Sequence, residues 1–583
     1  MSRGCGNKKP LGRMRPILAA LDERIARDDA EWLRRRLALL PVHWRKRVGV
    51  EHARRGGVGS AAANRWLLGV TGAGDAGRLP LDARDADLRD AAEEAARAAV
   101  ELARLELRMN GGLGQVRRAL VDHCAAWGVR PAEQDGEPGL LRMMDGRWYL
   151  RRLRRAHAMR AEGAAIRGGV VRRAVWPYAS EDAVVRRKDQ RGRVAGMMDA
   201  ALAVAGDGEV VPMSEIVAGS LANPECRRAE LMVRIRGCDE YADWQGWGCE
   251  FWTLTAPSRF HAQSVGNDLW GGENPRYDGS TPKDAQHWLS GVWARARAAW
   301  GRIELRVAGL RTAEPHHDGT PHWHLIVYGP AAELRVARQV LRRYALKDEG
   351  GEPGARRHRF NYKIAEAGRG AAAYAAMYVS KNINGEGAAG REDNEAGGYI
   401  SEGAKRVDAW ASHWGIRQFQ FFGMPRVGLW RILRKVEGGA GPAGSNIERA
   451  RAAADESNWG GFWRYAGGLD FIKGAARLTE YGDAAARAVI GVCEGGRRLL
   501  VKARDWVIYW GWAAKRMRAG GGDLPRSCVN NCTPDGLAAI DQGGVQAVPA
   551  WLAGAMRRAK AAADDWLGLA ATVAEAAGAL ETG

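Results

Sequence analysis

Apolar residues recur at helical spacing through the first part of the chain. Between Leu88 and Leu107, Ala and Leu return every three or four positions among Arg and Glu, the pattern of an amphipathic helix. From Pro16 to about Arg236 such periodicity dominates and strict alternation is rare, which predicts a mostly helical region. Around Gly237 the pattern changes. Phe251-Trp252-Thr253-Leu254-Thr255 is β-prone and closed by Ala256-Pro257-Ser258, and Ile303 to Ala308 alternates apolar and charged positions. The stretch from Leu310 to Tyr328 reads as a hairpin. His316-His317-Asp318-Gly319-Thr320 supplies its loop, and Pro321 stands at a strand edge, where its missing N–H is tolerated. A helix is expected from Ala331 to Tyr344, and a second from about Gly370 to Ile383 with Gly385 as its cap. Together these predict an α+β unit with a central antiparallel sheet, ending near Arg434.

Three regions follow: a helical, basic part over 1–236, the α+β unit over 237–435, and a remainder over 436–583. The last opens on the linker-like GGAGPAGS, continues Trp- and Ala-rich and is expected to be helical. Its stretch from about Gly520 to Ala547 has the composition of disorder. No internal repeat is present.

Charge adds a partner class. The 583 residues hold 88 Lys and Arg against 68 Asp and Glu, a net +20, which favours a polyanion, nucleic acid ahead of a membrane surface. A coding sequence rich in G and C would also enrich Arg, Ala and Gly, so the total is less informative than its distribution. Residues 142–193 carry fifteen Arg or Lys and five Asp or Glu, half of the whole excess, interleaved with Trp148, Tyr149, Trp176 and Tyr178. Such interleaving suits a groove that tracks phosphates and stacks bases; the alternative is a solvated basic helix whose aromatics form its own core. The basic N-terminus has no apolar core of a signal peptide, and no apolar run reaches the ~18 residues that span a bilayer, Trp506 to Ala514 being about half of that. A soluble, intracellular protein without membrane attachment is expected. Eight scattered cysteines make no disulfide framework, and Cys528-x-x-x-Cys532 and His123-Cys124 lack a second ligand pair for zinc.

The candidate chemistry lies in two blocks. In His322-Trp323-His324, strand alternation sends both imidazoles to one face and Trp323 to the other. Glu314, on the incoming strand of the same hairpin, is the first choice for a third ligand, with His316, His317 or Asp318 as alternatives that register decides. Two imidazoles and a carboxylate, with positions left open, suit Mg²⁺ or Mn²⁺ at a phosphodiester, and would also suit zinc. In the second block, Tyr374, Tyr378 and Lys381 fall within a narrow arc of one helix face. Small Ala neighbours admit a substrate, and Lys381 can neutralise a phosphate or lower a phenol pKa. A metal held by His322, His324 and Glu314 would polarise a phosphate in single-stranded DNA. A tyrosine would attack it, expel the 3′-hydroxyl and keep the 5′ end as a phosphotyrosine. That ester retains the bond energy, so a later attack by a 3′-hydroxyl rejoins the strand without ATP.

Residues Glu314 to His324, followed by Tyr374-x-x-x-Tyr378-x-x-Lys381-Asn382, resemble the bacteriophage replication gene A protein family, rolling-circle initiators of the HUH endonuclease superfamily. The likeness takes in the Phe251 to Phe260 block, Arg227 to Arg234, and Trp410 through Phe419, and covers roughly 140 to 435. It implies an antiparallel sheet displaying the histidines and a facing helix displaying Tyr374 and Tyr378 as alternating nucleophiles. It also implies origin-specific nicking in the cytoplasm of a bacterial host. Trp323 is larger than many residues at the middle position but points away from the metal. The chain has no G-x-x-x-x-G-K-[ST] motif, so a host helicase is the expected partner, recruited through the C-terminal Trp-rich region. Alternatives are a transposase or relaxase of the same chemistry, and a non-catalytic DNA-binding module.

Overall fold

The computed structural model describes residues 27–75, 79–110, 112–173, 175–264, 272–365, 398–436, 443–501 and 506–511, with Val379, Ile383, Glu392, Asp393 and Ala514. The architecture is mixed α/β, and every strand ladder among the described residues is antiparallel. Two compact units divide at Val170 and Val171.

The first unit is helical, as its periodicity predicts. Its longest helix, Asp85–Asn110, starts with Asp85 and Asp87 and ends with Arg108, charges that complement the helix dipole. Its buried stripe, from Leu88 through Ala95, Ala99 and Ala103, is built mostly of alanine, which lets the helix Gly146–Arg167 approach closely. Asp145 caps that second helix through the Trp148 N–H at 3.0 Å. Arg154 spans the pair to Asp85 with two bonds of 2.8 Å. Trp148 and Tyr149 are buried here, and Tyr178 is buried in the second unit. These three are core residues, so the expected base-stacking surface does not form from them; Trp176 is half-buried. His123 and Cys124 are not a zinc pair either. His123 Nε2 lies 2.9 Å from the Ala95 carbonyl oxygen, and the buried Cys124 thiol faces the Tyr149 hydroxyl at 3.4 Å.

The second unit is organised by a five-stranded sheet. In chain order its main elements are α1 (Glu181–Ala200), α2 (Pro224–Gln245), β1 (Gly248–Thr255), α3 (Pro282–Arg302), β2 (Ala308–Pro315), β3 (Pro321–Gly329), α4 (Ala331–Ala345), β4 (Phe360–Ile364), α5 (Ile400–Trp414) and β5 (Phe419–Phe422). The strand order is β5-β2-β3-β1-β4. β2 and β3 are central and almost wholly buried, so both their faces are covered. Trp252, Trp323, Leu325 and Val327 form one face against α3 and α4. There Trp293 meets Trp323 edge-on at 6.2 Å, and Trp300 donates to the Ala337 carbonyl at 3.1 Å. Leu310, Ile326, Tyr328 and Phe251 form the other face, packed with Leu231 and Ile235 of α2 and with Val379 and Ile383. The Tyr328 hydroxyl donates to Asp239 of α2 at 2.7 Å.

Two expectations need correction. Only Ala308 of the alternating stretch Ile303 to Ala308 is strand. α3 runs on to Arg302, its Trp300 carbonyl accepts from both Ile303 and Leu305, and Glu304 turns left-handed at φ 51, so the chain reverses before the strand begins. After Glu437 the expected helices are present as α6 (Asn446–Asp455) and α7 (Trp459–Tyr465), but β6 (Asp470–Lys473), β7 (Val489–Glu494) and β8 (Arg497–Leu500) form an antiparallel sheet. Gly495 and Gly496 join β7 to β8 as a two-residue hairpin, with Gly495 at φ 52, a loop that glycine favours. The helix read from Gly370 to Ile383 and its Gly385 cap lie outside the described residues, save Val379 and Ile383.

α2 and α7 meet through glycine: a Cβ on Gly237 would lie 2.5 Å from Trp459 Cβ and 2.7 Å from the Gly460 nitrogen. Gly237→Ala is therefore expected to destabilise the unit by about 1–3 kcal/mol through overpacking. Gly192→Ala on α1, where a Cβ meets nothing within 4 Å, should stabilise by about 0.5–1 kcal/mol. Thermal melts followed by circular dichroism would give both signs.

Candidate metal centre on the central sheet

Register decides what the hairpin brings together. β2 pairs with β3 so that Glu314 lies opposite His322 and Thr312 opposite His324, while β1 sets Thr253 opposite His324 and Thr255 opposite His322. Side chains directly across a ladder share a face, so Glu314, His322 and His324 project together. One ligand atom from each lies within 4.8 Å of the others, and the two Nε2 atoms approach to 2.8 Å. Glu314 and His322 are buried and His324 is half-buried. Trp323 points the other way, fully buried, with its indole N–H on Gln286 at 3.0 Å and the Arg311 guanidinium 3.8 Å from its ring. No other cluster of three such residues occurs among the described residues.

The residues that could have replaced Glu314 have different surroundings. His316 stacks on His322, ring centres 4.0 Å apart. Asp318 turns away from the cluster: one carboxylate oxygen accepts the Thr320 N–H at 3.0 Å, and the other lies 3.3 Å from His261 Nδ1. Burial alone would push this carboxyl up, but His261, with His317 and His316 beyond it, outweighs burial and holds it well below the usual carboxylate range. The turn is fixed from several sides. Gly319 supplies φ 85, its carbonyl accepts from the Trp410 indole at 2.7 Å, Thr320 donates to the Phe260 carbonyl at 3.0 Å, and Tyr178 N–H donates to the His317 carbonyl at 3.2 Å.

Two contributors were not anticipated. Thr253 Oγ1 lies 3.2 Å from His324 Nδ1, a contact that fixes which ring nitrogen faces the cluster. Phe251 to Thr255 read as a β-prone run, but nothing local indicated the partner of Thr253 71 residues on. His261 is the other, and no sequence spacing links it to Asp318. Tyr374, Tyr378 and Lys381 lie outside the described residues. The neighbouring Val379 and Ile383 are buried in the core cluster that also holds Leu310, Ile326 and Tyr328, on the sheet face that carries His324.

A buried carboxylate beside two converging imidazoles defines a candidate site for a divalent cation on an antiparallel sheet. Residues 126–386 match the model of the bacteriophage replication gene A protein family. It is 34% identical to the replication gene A protein of Escherichia phage 186, over 69% of this chain and 60% of that protein, and 35% identical to that of Escherichia phage P2, over 67% and 55%. A protein of Salmonella paratyphi A named as a probable replication endonuclease from a prophage-like region is 34% identical over 52% of this chain and 38% of its own length. The chain thus spans about three fifths or less of the length of these relatives. No solved structure matches it.

Because its folded-state pKa is depressed, Asp318 contributes stability that is present above the ordinary carboxylate value of about 4 and lost as pH falls below it. Asp318→Asn is expected to cost about 1–3 kcal/mol at pH 7. The difference from wild type should shrink at pH 3, as read from urea denaturation midpoints at the two pH values.

Proposed function

We propose that the protein is a replication initiator endonuclease that nicks one DNA strand at an origin, holds the 5′ end covalently on tyrosine and rejoins it, as in rolling-circle replication. The observation that carries this reading is the convergence of Glu314, His322 and His324 on one sheet face in a chain that matches a phage replication family. The donor set fits a divalent cation: two imidazoles and one carboxylate suit Mg²⁺ or Mn²⁺, and would also suit zinc. The two Nε2 atoms, 2.8 Å apart, would both be within reach of one such ion. When bound, the cation supplies Lewis acidity at a phosphate oxygen.

The remaining steps belong to the chain. Thr253 holds the His324 ring with Nε2 toward the cluster. Tyr374 or Tyr378, as phenolate, forms a P–O bond in line with the departing 3′ oxygen. That P–O3′ bond breaks, the 3′ oxygen takes up a proton equivalent to the one the phenol gave up, and Lys381 offsets charge on the phosphate. The second tyrosine can cut again while the first still holds its strand. A host helicase would complete the machinery, since the sequence has no phosphate-binding ATPase loop. The endonuclease name of the Salmonella relative agrees with this reading.

Labelled single-stranded origin DNA with Mn²⁺ should give a covalent protein–DNA band on a denaturing gel. Tyr374→Phe or Tyr378→Phe alone is expected to leave residual adduct in at least one case, and the double variant none. A folded wild type that forms no adduct would leave only DNA binding. Separately, Thr253→Val should weaken Mn²⁺ binding about 10–100-fold by titration calorimetry while the fold is kept; unchanged affinity would remove Thr253 from the centre.

A further inference from the structure

A second feature of the same unit is a cleft of about 600 Å³ between α2, α5 and β5. Arg187, Arg227, Arg234, Arg417, Arg426 and Arg431 line it, against Glu230 and Asp408. Arg187 pairs with Asp408 at 2.7 Å and Arg431 with Glu230 at 2.6 Å, so the two acids are already engaged. Arg234 is only 7% exposed, sits 3.6 Å from the Phe421 ring centre and reaches Glu230 no closer than 3.9 Å. Among the described residues its Nε has no hydrogen-bond partner, nor does that of Arg227. Burying guanidinium donors without acceptors is costly, and an anion in the cleft would remove the cost.

Placement and charge narrow the anion. Phe419 and Phe421 pair with Thr312 and Leu310, so they project from the sheet face that bears Glu314, His322 and His324. The Ala313 N–H donates to the Gln418 carbonyl at 2.8 Å; Ala313 precedes Glu314, and Gln418 follows Arg417. The cleft therefore adjoins the metal centre along one strand edge. With Asp470, which pairs with Arg426 at 2.9 Å, six arginines less three acids leave three positive charges, still more than a phosphate monoester carries. Several phosphates in a chain match that excess, and a single phosphate does not.

We propose that the arginine cleft binds backbone phosphates of the DNA strand to one side of the bond cut at the histidine centre. Its position relative to the cut rests on the nicking reading; its phosphate chemistry does not. The test uses the full chain and a fluorescein-labelled single-stranded oligonucleotide in EDTA, with anisotropy measured across a salt series. Arg227→Gln with Arg417→Gln is expected to lower affinity about tenfold or more and to flatten the plot of log K against log salt by about 1.4, two contacts at roughly 0.7 each. Arg417→Lys should keep the wild-type slope, and Arg343→Gln, exposed on α4, should change neither quantity. Unaltered affinity and slope in a double variant that melts like wild type would overturn the proposal, as would equal competition by inorganic phosphate or polyglutamate. His322→Ala is expected to bind DNA as wild type does and to form no adduct. A wild type that binds but never forms adduct would defeat the nicking reading and leave the cleft result standing.

Discussion

The pairing of β2 with β3 is the constraint on which the rest of the second unit depends. Side chains on a strand alternate, so a slip of one residue would turn Glu314, or both histidines, into the tryptophan-lined layer against α3 and α4. Both outcomes are costly, because both faces of these strands are buried. Trp323 fixes the register from below: its ring fills the space beside Trp293, and its indole N–H has a partner only in this arrangement. Displacement would expose a large apolar surface and strand a buried donor, a penalty of several kcal/mol. The site is thus held in place by packing on the face that takes no part in it.

That division of labour extends across the sheet. Away from the cluster, the histidine-bearing face is an apolar interface with α2, and only near the β2–β3 turn do Thr253, Glu314, His322 and His324 replace it with polar groups. The turn itself is tied to segments far apart in the chain, through Tyr178, Phe260, His261 and Trp410. Few of these ties involve the site's own side chains, so the cluster can present its ligand atoms in a frame that others maintain.

Much of this was legible in the sequence where the signal is local. The hairpin from Leu310 to Tyr328, the helix after Ala331 and the common face of His322 and His324 follow from alternation and turn chemistry. Glu314 followed once the hairpin was drawn. What escaped was either non-local or masked by composition. No spacing ties Thr253 to His324 or His261 to Asp318, because both contacts arise when the chain returns to the sheet. The β7–β8 hairpin had its own signal in Gly495-Gly496 between β-prone residues, but an Ala-rich, helix-favouring context hid it. Trp148 and Tyr149 illustrate the reverse error, since aromatics among arginines read as a binding surface when they are in fact the helices' own core.

The three candidate ligands lie within the eleven residues from Glu314 to His324 and on adjacent strands. Closing so short a loop takes well under a microsecond, and a hairpin forms in about 1–10 μs. The cluster can therefore assemble early in folding, before the distant strand β1 delivers Thr253. A cation captured at that stage would favour the paired hairpin over its open form, because ligands that bind only the ordered state stabilise it by mass action. The ligand side chains are thus joined by one short local closure, whereas the Thr253 contact to His324 depends on β1, which is distant in the chain.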